Sequence, residues 1–203
     1  MTATNLFLLA GHTPNQPGAR SYDSKYEYYY NLDLKRRVVR TLTKRRSFVS
    51  VRSPEPHLPL GDVIRWVNRS YKPGDLLLDI HFNFNHPTAT GTEVFLHPLT
   101  SPKNKEIARS MVWGISKQLE IPVRVAEKHR EYKFPDESAL GTLGIIERTN
   151  IPAILIEVCF MNSIDLPKYH PEKKRNAVAT QIVEAYRFPT MIRDLDPKTE
   201  RRV

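Results

Sequence analysis

The sequence predicts an α/β fold, a single domain with a mixed, mostly parallel central sheet flanked by helices. Short apolar runs alternate along the chain with longer segments whose apolar residues recur every three to four positions. The chain has 203 residues, a length typical of one domain, and contains no long polar linker. We therefore predict one folded domain over residues 1–188 and a polar tail over residues 189–203.

In the first half of the chain, an apolar run at Asn5–Ala10, closed by Gly11, predicts a buried first strand. Residues 27–45 have helical spacing, with one apolar stripe formed by Tyr30, Leu34, Val38 and Leu42. The next predicted elements are a strand at 48–51, a helix at 60–71 that ends before Pro73 and Gly74, and a strand at 76–81.

The second half continues the alternation of strands and helices. It begins with a strand at Glu93–Leu96 and a helix at 104–119, followed by a short strand at 123–125. Two apolar runs follow at 143–147 and Ala153–Phe160, and residues 173–186 form the last predicted helix. The predicted inner faces of the two helices comprise Ile107, Met111, Ile115 and Leu119 in the first and Val178, Ile182 and Ala185 in the second.

The formal net charge of +9 favours polyanionic partners, namely nucleic acid, anionic lipid or the acidic polymers of a bacterial envelope. Charge alone does not choose among them. No apolar stretch approaches the ~20 residues of a membrane helix, and the start of the chain lacks the charged region of a signal peptide. The single Cys159 excludes an intramolecular disulfide and a multi-cysteine zinc site.

Three ionisable residues lie either at the end of a predicted strand or inside a predicted buried strand. His12 follows the first strand, His81 ends the third, and Glu157 lies inside the apolar run near residue 155. Ligands of α/β proteins bind beyond the carboxyl ends of the strands. Two imidazoles and a carboxylate can hold zinc with a fourth position open to water, and a nearby carboxylate can accept a proton from that water.

Each of these residues also has a structural interpretation. His12 is compatible with a turn, and His81 with a hydrogen-bonded core histidine. An ionised Glu157 in an apolar strand costs several kcal/mol unless a cation, a metal or hydrogen bonds compensate it, so a structural ion pair is its alternative role. Glu27, three residues after Ser24, fits a helix capping box. Spacing alone therefore leaves the metal site a hypothesis.

Five segments, in order, carry a resemblance to a known family. They are Ala10-Gly11-His12 with Pro17-Gly18-Ala19, Glu27 four residues before Asn31-Leu32, Ile80-His81-Phe82-Asn83, the segment 91–95, and the segment 143–162 with Asp165 after it. Over residues 5–187 the chain resembles the zinc-dependent N-acetylmuramoyl-L-alanine amidases of the amidase-3 type.

The resemblance implies an enzyme that hydrolyses the amide bond between N-acetylmuramic acid and L-alanine in peptidoglycan. It implies that His12, Glu27 and His81 bind one zinc ion. It further implies that Glu157 is the catalytic carboxylate, which activates the attacking water and later gives a proton to the leaving amine. On this basis Glu27 is expected to be a ligand rather than a helix cap.

The chain departs from the family pattern at several positions. Asp79 stands where a small serine is common, and it either accepts a hydrogen bond from an imidazole or faces away. Phe84 and Asn85 predict a bulkier cleft floor, and His129-Arg130 does not match the family's basic-glycine motif.

Two rival functions remain open at this stage. One is a zinc exopeptidase of related fold, and the other is a non-catalytic basic module for envelope polymer or nucleic acid. The basic run of residues 35–46 favours the second, although such a run on a helix is typical of a solvated face. A binding module also gives no reason for a glutamate, Glu157, inside a buried strand. We therefore expect no specific nucleic acid partner.

The missing export signal and missing wall-binding module favour a phage-type endolysin. Such an enzyme is made in the cytoplasm and reaches the cell wall after release by another protein. A cytoplasmic recycling amidase is the alternative.

Overall fold

A five-stranded sheet forms the centre of the protein in the computed structural model, which describes residues 5–45, 49–84, 86–96, 100–124 and 143–187. The strands are β1 (Asn5–Ala10), β2 (Ser50–Arg52), β3 (Leu76–Asn83), β4 (Glu93–Leu96) and β5 (Ala153–Phe160). The order across the sheet is β2-β1-β3-β5-β4. All neighbours pair in parallel except β4, which runs antiparallel to β5 at one edge. The predicted mixed, mostly parallel sheet is confirmed.

Helices cover both faces of this sheet. They are α1 (Glu27–Lys44), α2 (Leu60–Ser70), α3 (Pro102–Leu119), α4 (Gly144–Glu147), α5 (Leu166–Tyr169) and α6 (Glu172–Arg187). One core packs the sheet against α1, α3 and α6, and a smaller core packs it against α2 and α4. Because both faces are covered, β1, β3 and β5 are apolar along most of their length rather than alternating.

The predicted inner faces of α1, α3 and α6 are confirmed, since every residue assigned to them is buried. The first apolar run after residue 142 forms the short helix α4, and the second forms the strand β5. Val123 makes only an isolated bridge with Thr92, and β3 continues to Asn83. α5 was not predicted, because its four residues are too few to show a helical period.

Several predictions fall on residues outside the described ranges. They concern Phe48, Asn85, Val125, His129-Arg130 and the tail 189–203. None of the helices in the described ranges is long and apolar enough to cross a membrane.

The basic run on α1 is not a uniformly solvated face. The Arg37 side chain is only 8% exposed; its Nε donates to Asp33 Oδ2 at 2.9 Å and its Nη1 donates to Asn176 Oδ1 at 2.6 Å. These bonds tie α1 to α6. Lys35, from the same run, lines a cleft at the sheet edge. The basic residues therefore have separate roles that their sequence order does not reveal.

Asp165 fixes the chain where β5 ends. Its side chain is fully buried and accepts hydrogen bonds from Thr90 Oγ1 at 2.5 Å, from the Gly91 amide at 2.8 Å and from the Phe160 amide at 3.3 Å. A buried carboxylate with three donors is satisfied without a cation. Asp165 thus joins the loop before β4 to the carboxyl end of β5.

Candidate metal centre

The three predicted ligands come together at the carboxyl edge of the parallel strands. His12 follows β1 after Gly11, His81 lies near the end of β3, and Glu27 is the first residue of α1. Each of these residues offers one ligand atom such that all three atoms lie within 4.8 Å of one another. The parallel pairing of β1 with β3 brings the two imidazoles together, because it places both strand ends at one edge.

The Glu27 carboxylate lies between the two imidazoles. Its Oε2 is 2.8 Å from His12 Nε2, and its Oε1 is 2.8 Å from His81 Nδ1. Oε1 also accepts from the Phe82 amide and from Asn31 Nδ2, each at 3.3 Å. Burial alone raises the pKa of Glu27, but hydrogen bonds to His12 and His81 outweigh it and lower the pKa to about 2. This carboxylate is therefore held in its charged form.

The capping-box interpretation of Glu27 is wrong. α1 has Tyr26 as its N-cap residue, and no side chain caps it. Ser24 lies in a tight turn with a φ of 72°, while the Glu27 amide donates to Ala19 O at 2.9 Å. The turn directs the Glu27 side chain toward the strand ends, where the imidazoles take up both of its oxygens.

Two glycines leave space for these side chains. A Cβ atom on Gly11 would overlap the His81 ring, and one on Gly18 would lie 2.6 Å from His12 Cδ2 and 2.7 Å from Glu27 Oε2. Gly18 has a φ of +76°, in the left-handed region that favours glycine. In the sequence these glycines are only parts of motifs, whereas the structure shows that they pack directly against the three clustered side chains.

Glu157 faces the same site from the next strand. It pairs with His81 in the β3–β5 register, so both side chains project from one face of the sheet. No Lys, Arg or His of the described residues forms an ion pair with Glu157, and its buried Oε2 has no hydrogen-bond partner among them. The alternative of a structural ion pair therefore has no partner in this part of the chain.

Burial raises the pKa of Glu157 to about 8. The charge of His81 opposes this rise, whereas the carboxylates of Glu27, Glu93 and Asp79 add to it. Glu27 and Glu157 are thus carboxylates with opposite pKa shifts at one site. A carboxyl group with a pKa near neutrality is suited to proton transfer.

A cleft of about 320 Å³ opens onto this cluster. The polar groups of its lining come from His12, His81, Glu157 and Asp79. The apolar walls come from the β2–α2 connection, α2 and α4, and they include Leu58, Leu60, Val63 and Ile145. Phe84, expected on the cleft floor, is instead 57% exposed and does not line the cleft. The lining combines apolar walls with a few convergent polar groups, as is typical of ligand sites.

Sequence reasoning missed one wall of the cleft. Tyr28, Leu32 and Lys35 line it from α1 at positions i, i+4 and i+7. Burial lowers the pKa of Lys35, whereas the Asp79 charge raises it. The helical spacing was visible in the sequence, but nothing there indicated that this stripe faces a cleft rather than solvent.

The donor set fits a metal ion. Two imidazole nitrogens and a carboxylate oxygen form a common protein ligand set of catalytic zinc, and here the three ligand atoms lie within 4.8 Å of one another. A cleft beside them and a second carboxylate with a raised pKa complete the groups needed for metal-assisted hydrolysis. Fold and site together define a metal-dependent hydrolase of the α/β class.

The Amidase_3 family profile, described as N-acetylmuramoyl-L-alanine amidase, matches residues 6–187. The chain belongs to this family and is a peptidoglycan amidase. This confirms the resemblance predicted from the five sequence segments. No curated protein matches the chain.

Solved amidase structures share this fold. An N-acetylmuramoyl-L-alanine amidase from Clostridium difficile 630 is 26% identical with a TM-score of 0.73, covering 92% of this chain and 96% of its own. The catalytic domain of the CD27L endolysin, which targets Clostridia difficile, is 26% identical with a TM-score of 0.64, covering 90% and 96%. The CwlV catalytic domain from Bacillus (Paenibacillus) polymyxa is 22% identical with a TM-score of 0.71, covering 90% and 96%, and supports the fold alone.

We predict that Gly11→Ala abolishes stoichiometric metal binding, because the added methyl group displaces the His81 ring. The measurement is metal content per chain after dialysis against zinc, with circular dichroism to verify the fold. Gly61→Ala is the matched control, since its Cβ would meet only Arg65 Nη1 at 3.7 Å. A folded Gly11→Ala protein that keeps its full metal content would contradict the predicted role of His81.

Proposed function

We propose that this amidase depends on zinc and cleaves the bond between N-acetylmuramic acid and L-alanine. His12, Glu27 and His81 are the proposed ligands of one zinc ion, and Glu157 is the proposed proton-transfer group. The observation that carries the proposal is the convergence of the three donors within 4.8 Å, with Glu157 on the strand beside them. Family membership supports the same bond as the site of cleavage.

Zinc held by His12, Glu27 and His81 would supply a Lewis acid for the amide carbonyl and for a water molecule. Glu27 holds its charge between the imidazoles and so provides an anionic ligand at neutral pH. Glu157 accepts the proton of the attacking water and passes it to the amine nitrogen as the carbon–nitrogen bond breaks. Burial, which raises its pKa to about 8, makes Glu157 a stronger base than an ordinary glutamate.

The cleft walls fit a peptide stem attached to a sugar. Apolar side chains from α2 and α4 can pack against the alanine methyl group and the peptide backbone. Lys35 adds a positive charge to the α1 wall of the cleft. The net charge of +9 attracts anionic wall polymers and raises the rate of encounter with the substrate.

We further propose that the enzyme is an endolysin of the phage type. Its likeness to an endolysin catalytic domain, at 26% identity over 90% of this chain, supports this role. In that role the protein is made in the cytoplasm and meets peptidoglycan after another protein has opened the membrane.

Digestion of purified peptidoglycan, followed by mass spectrometry, tests the bond and the metal together. We expect new amino-terminal L-alanine and free lactyl-sugar ends. These products should be lost on chelation and restored by zinc, because the proposed reaction takes its Lewis acid from the bound metal. Cleavage at peptide termini instead would indicate an exopeptidase. Intact junctions under all conditions would indicate a binding module.

Glu157→Gln removes the proposed proton acceptor while keeping the shape of the side chain. We expect the amidase rate to fall by ~10²–10⁴, with zinc content and fold unchanged. The measurement is the rate of L-alanine amino-terminus release at saturating zinc. Glu120→Gln is the matched control, since Glu120 is exposed at the end of α3 and should leave the rate unaltered. A near-normal rate in Glu157→Gln would reassign the proton transfer to another group.

The endolysin role predicts rapid lysis of permeabilised bacterial cells by the added protein. The measurement is the fall in turbidity after addition, compared with a Glu157→Gln sample at the same concentration. Activity confined to small soluble muropeptides would instead indicate a recycling amidase.

A further inference from the structure

Asp79 lies two residues before His81 on β3, so both side chains project from the same face of the sheet. Its Oδ2 is 3.3 Å from His81 Nε2, and the residue is only 5% exposed. Of the two placements that the sequence left open, the structure shows the one in which Asp79 meets the imidazole.

The two nitrogens of His81 therefore face different carboxylates. Nδ1 lies 2.8 Å from Glu27 Oε1, within the proposed ligand cluster, and Nε2 points to Asp79. A neutral imidazole carries its proton on one nitrogen and offers a lone pair on the other. A proton on Nε2, donated to Asp79, leaves the Nδ1 lone pair directed at the metal.

Folding alone does not account for Asp79. Its Oδ1 is buried without a hydrogen-bond partner among the described residues, and the contact with His81 is the one hydrogen bond found there for its side chain. Burying a carboxylate with so few partners is costly. Asp75, directly before the same strand, shows the contrast, because its two oxygens accept from Asn5 and from the Lys72 amide.

We propose that Asp79 is a positioning residue, which accepts a hydrogen bond from Nε2–H of His81 and thereby presents Nδ1 to the metal. The inference rests on the proposed zinc site. Carboxylates placed behind a metal-binding histidine fix its tautomer and ring orientation and increase its basicity, and their loss typically weakens metal affinity ~10–100-fold. Asp79 would thus set how tightly this enzyme retains zinc.

The test measures zinc affinity of the metal-free protein by competition with a chromogenic chelator. We expect Asp79→Ala to raise the zinc dissociation constant by ~10–100-fold, because the His81 ring loses its anchor. Asp79→Asn keeps the shape without the charge and should give a smaller loss. Asp75→Asn is the matched control, since it changes a buried aspartate directly before β3; it should lower thermal stability and leave zinc affinity unchanged.

A second readout follows the proton itself. In the zinc-loaded protein, nitrogen-resolved NMR should show a slowly exchanging proton on His81 Nε2 that disappears in Asp79→Ala. Wild-type affinity in both Asp79 variants would overturn the inference, as would an equal loss of affinity in Asp75→Asn. These outcomes are independent of cleavage: a protein that binds zinc through Asp79-supported His81 but leaves peptidoglycan intact would refute the proposed function alone.

Discussion

Glu27 places a buried carboxylate between the imidazoles of His12 and His81, and much of the local structure serves this contact. β1 and β3 must run parallel and adjacent for the two histidines to share an edge. The turn before α1 must present the first helical residue to that edge, and Gly11 and Gly18 must lack side chains for the rings to fit. A change in any of these features would separate the donors.

The carboxylates of the site differ in how many neighbouring groups stabilise their negative charge, and this difference decides their pKa shifts. Two imidazoles stabilise the charged form of Glu27, whereas Glu157 is buried beside other carboxylates and binds a proton more tightly. Asp79 adds a third acidic group, with Lys35 near enough for their charges to interact. So much negative charge around one cleft favours a bound cation. One environment thus gives two glutamates opposite pKa shifts, in keeping with the separate roles proposed for them.

Solved structures show that this fold is shared by a bacterial amidase and by an endolysin catalytic domain. Within that fold, the present chain places an aspartate behind the β3 histidine and a lysine on the α1 wall of the cleft. Asp79 contacts the proposed metal ligand His81, and Lys35 lines the cleft beside it. The three clustered donors, by contrast, are brought together by the parallel pairing of β1 with β3 and by the start of α1.

The sequence by itself determined the α/β class and the inner faces of the long helices. Its resemblance to a family also predicted four site residues, and the structure brings the three predicted ligands together beside the fourth. Apolar periodicity can be read from neighbouring residues, and the motif around Glu157 is one continuous segment, so both signals are present in the sequence. Tertiary structure decided what depends on distance between elements. Only the packing of α1 against the strand ends shows that Glu27 contacts imidazoles rather than capping its own helix, because the capping box and the ligand have the same local spacing. Likewise, the contact of Asp79 with His81 and the position of Lys35 in the cleft depend on side-chain directions and neighbouring elements, which a linear pattern does not specify.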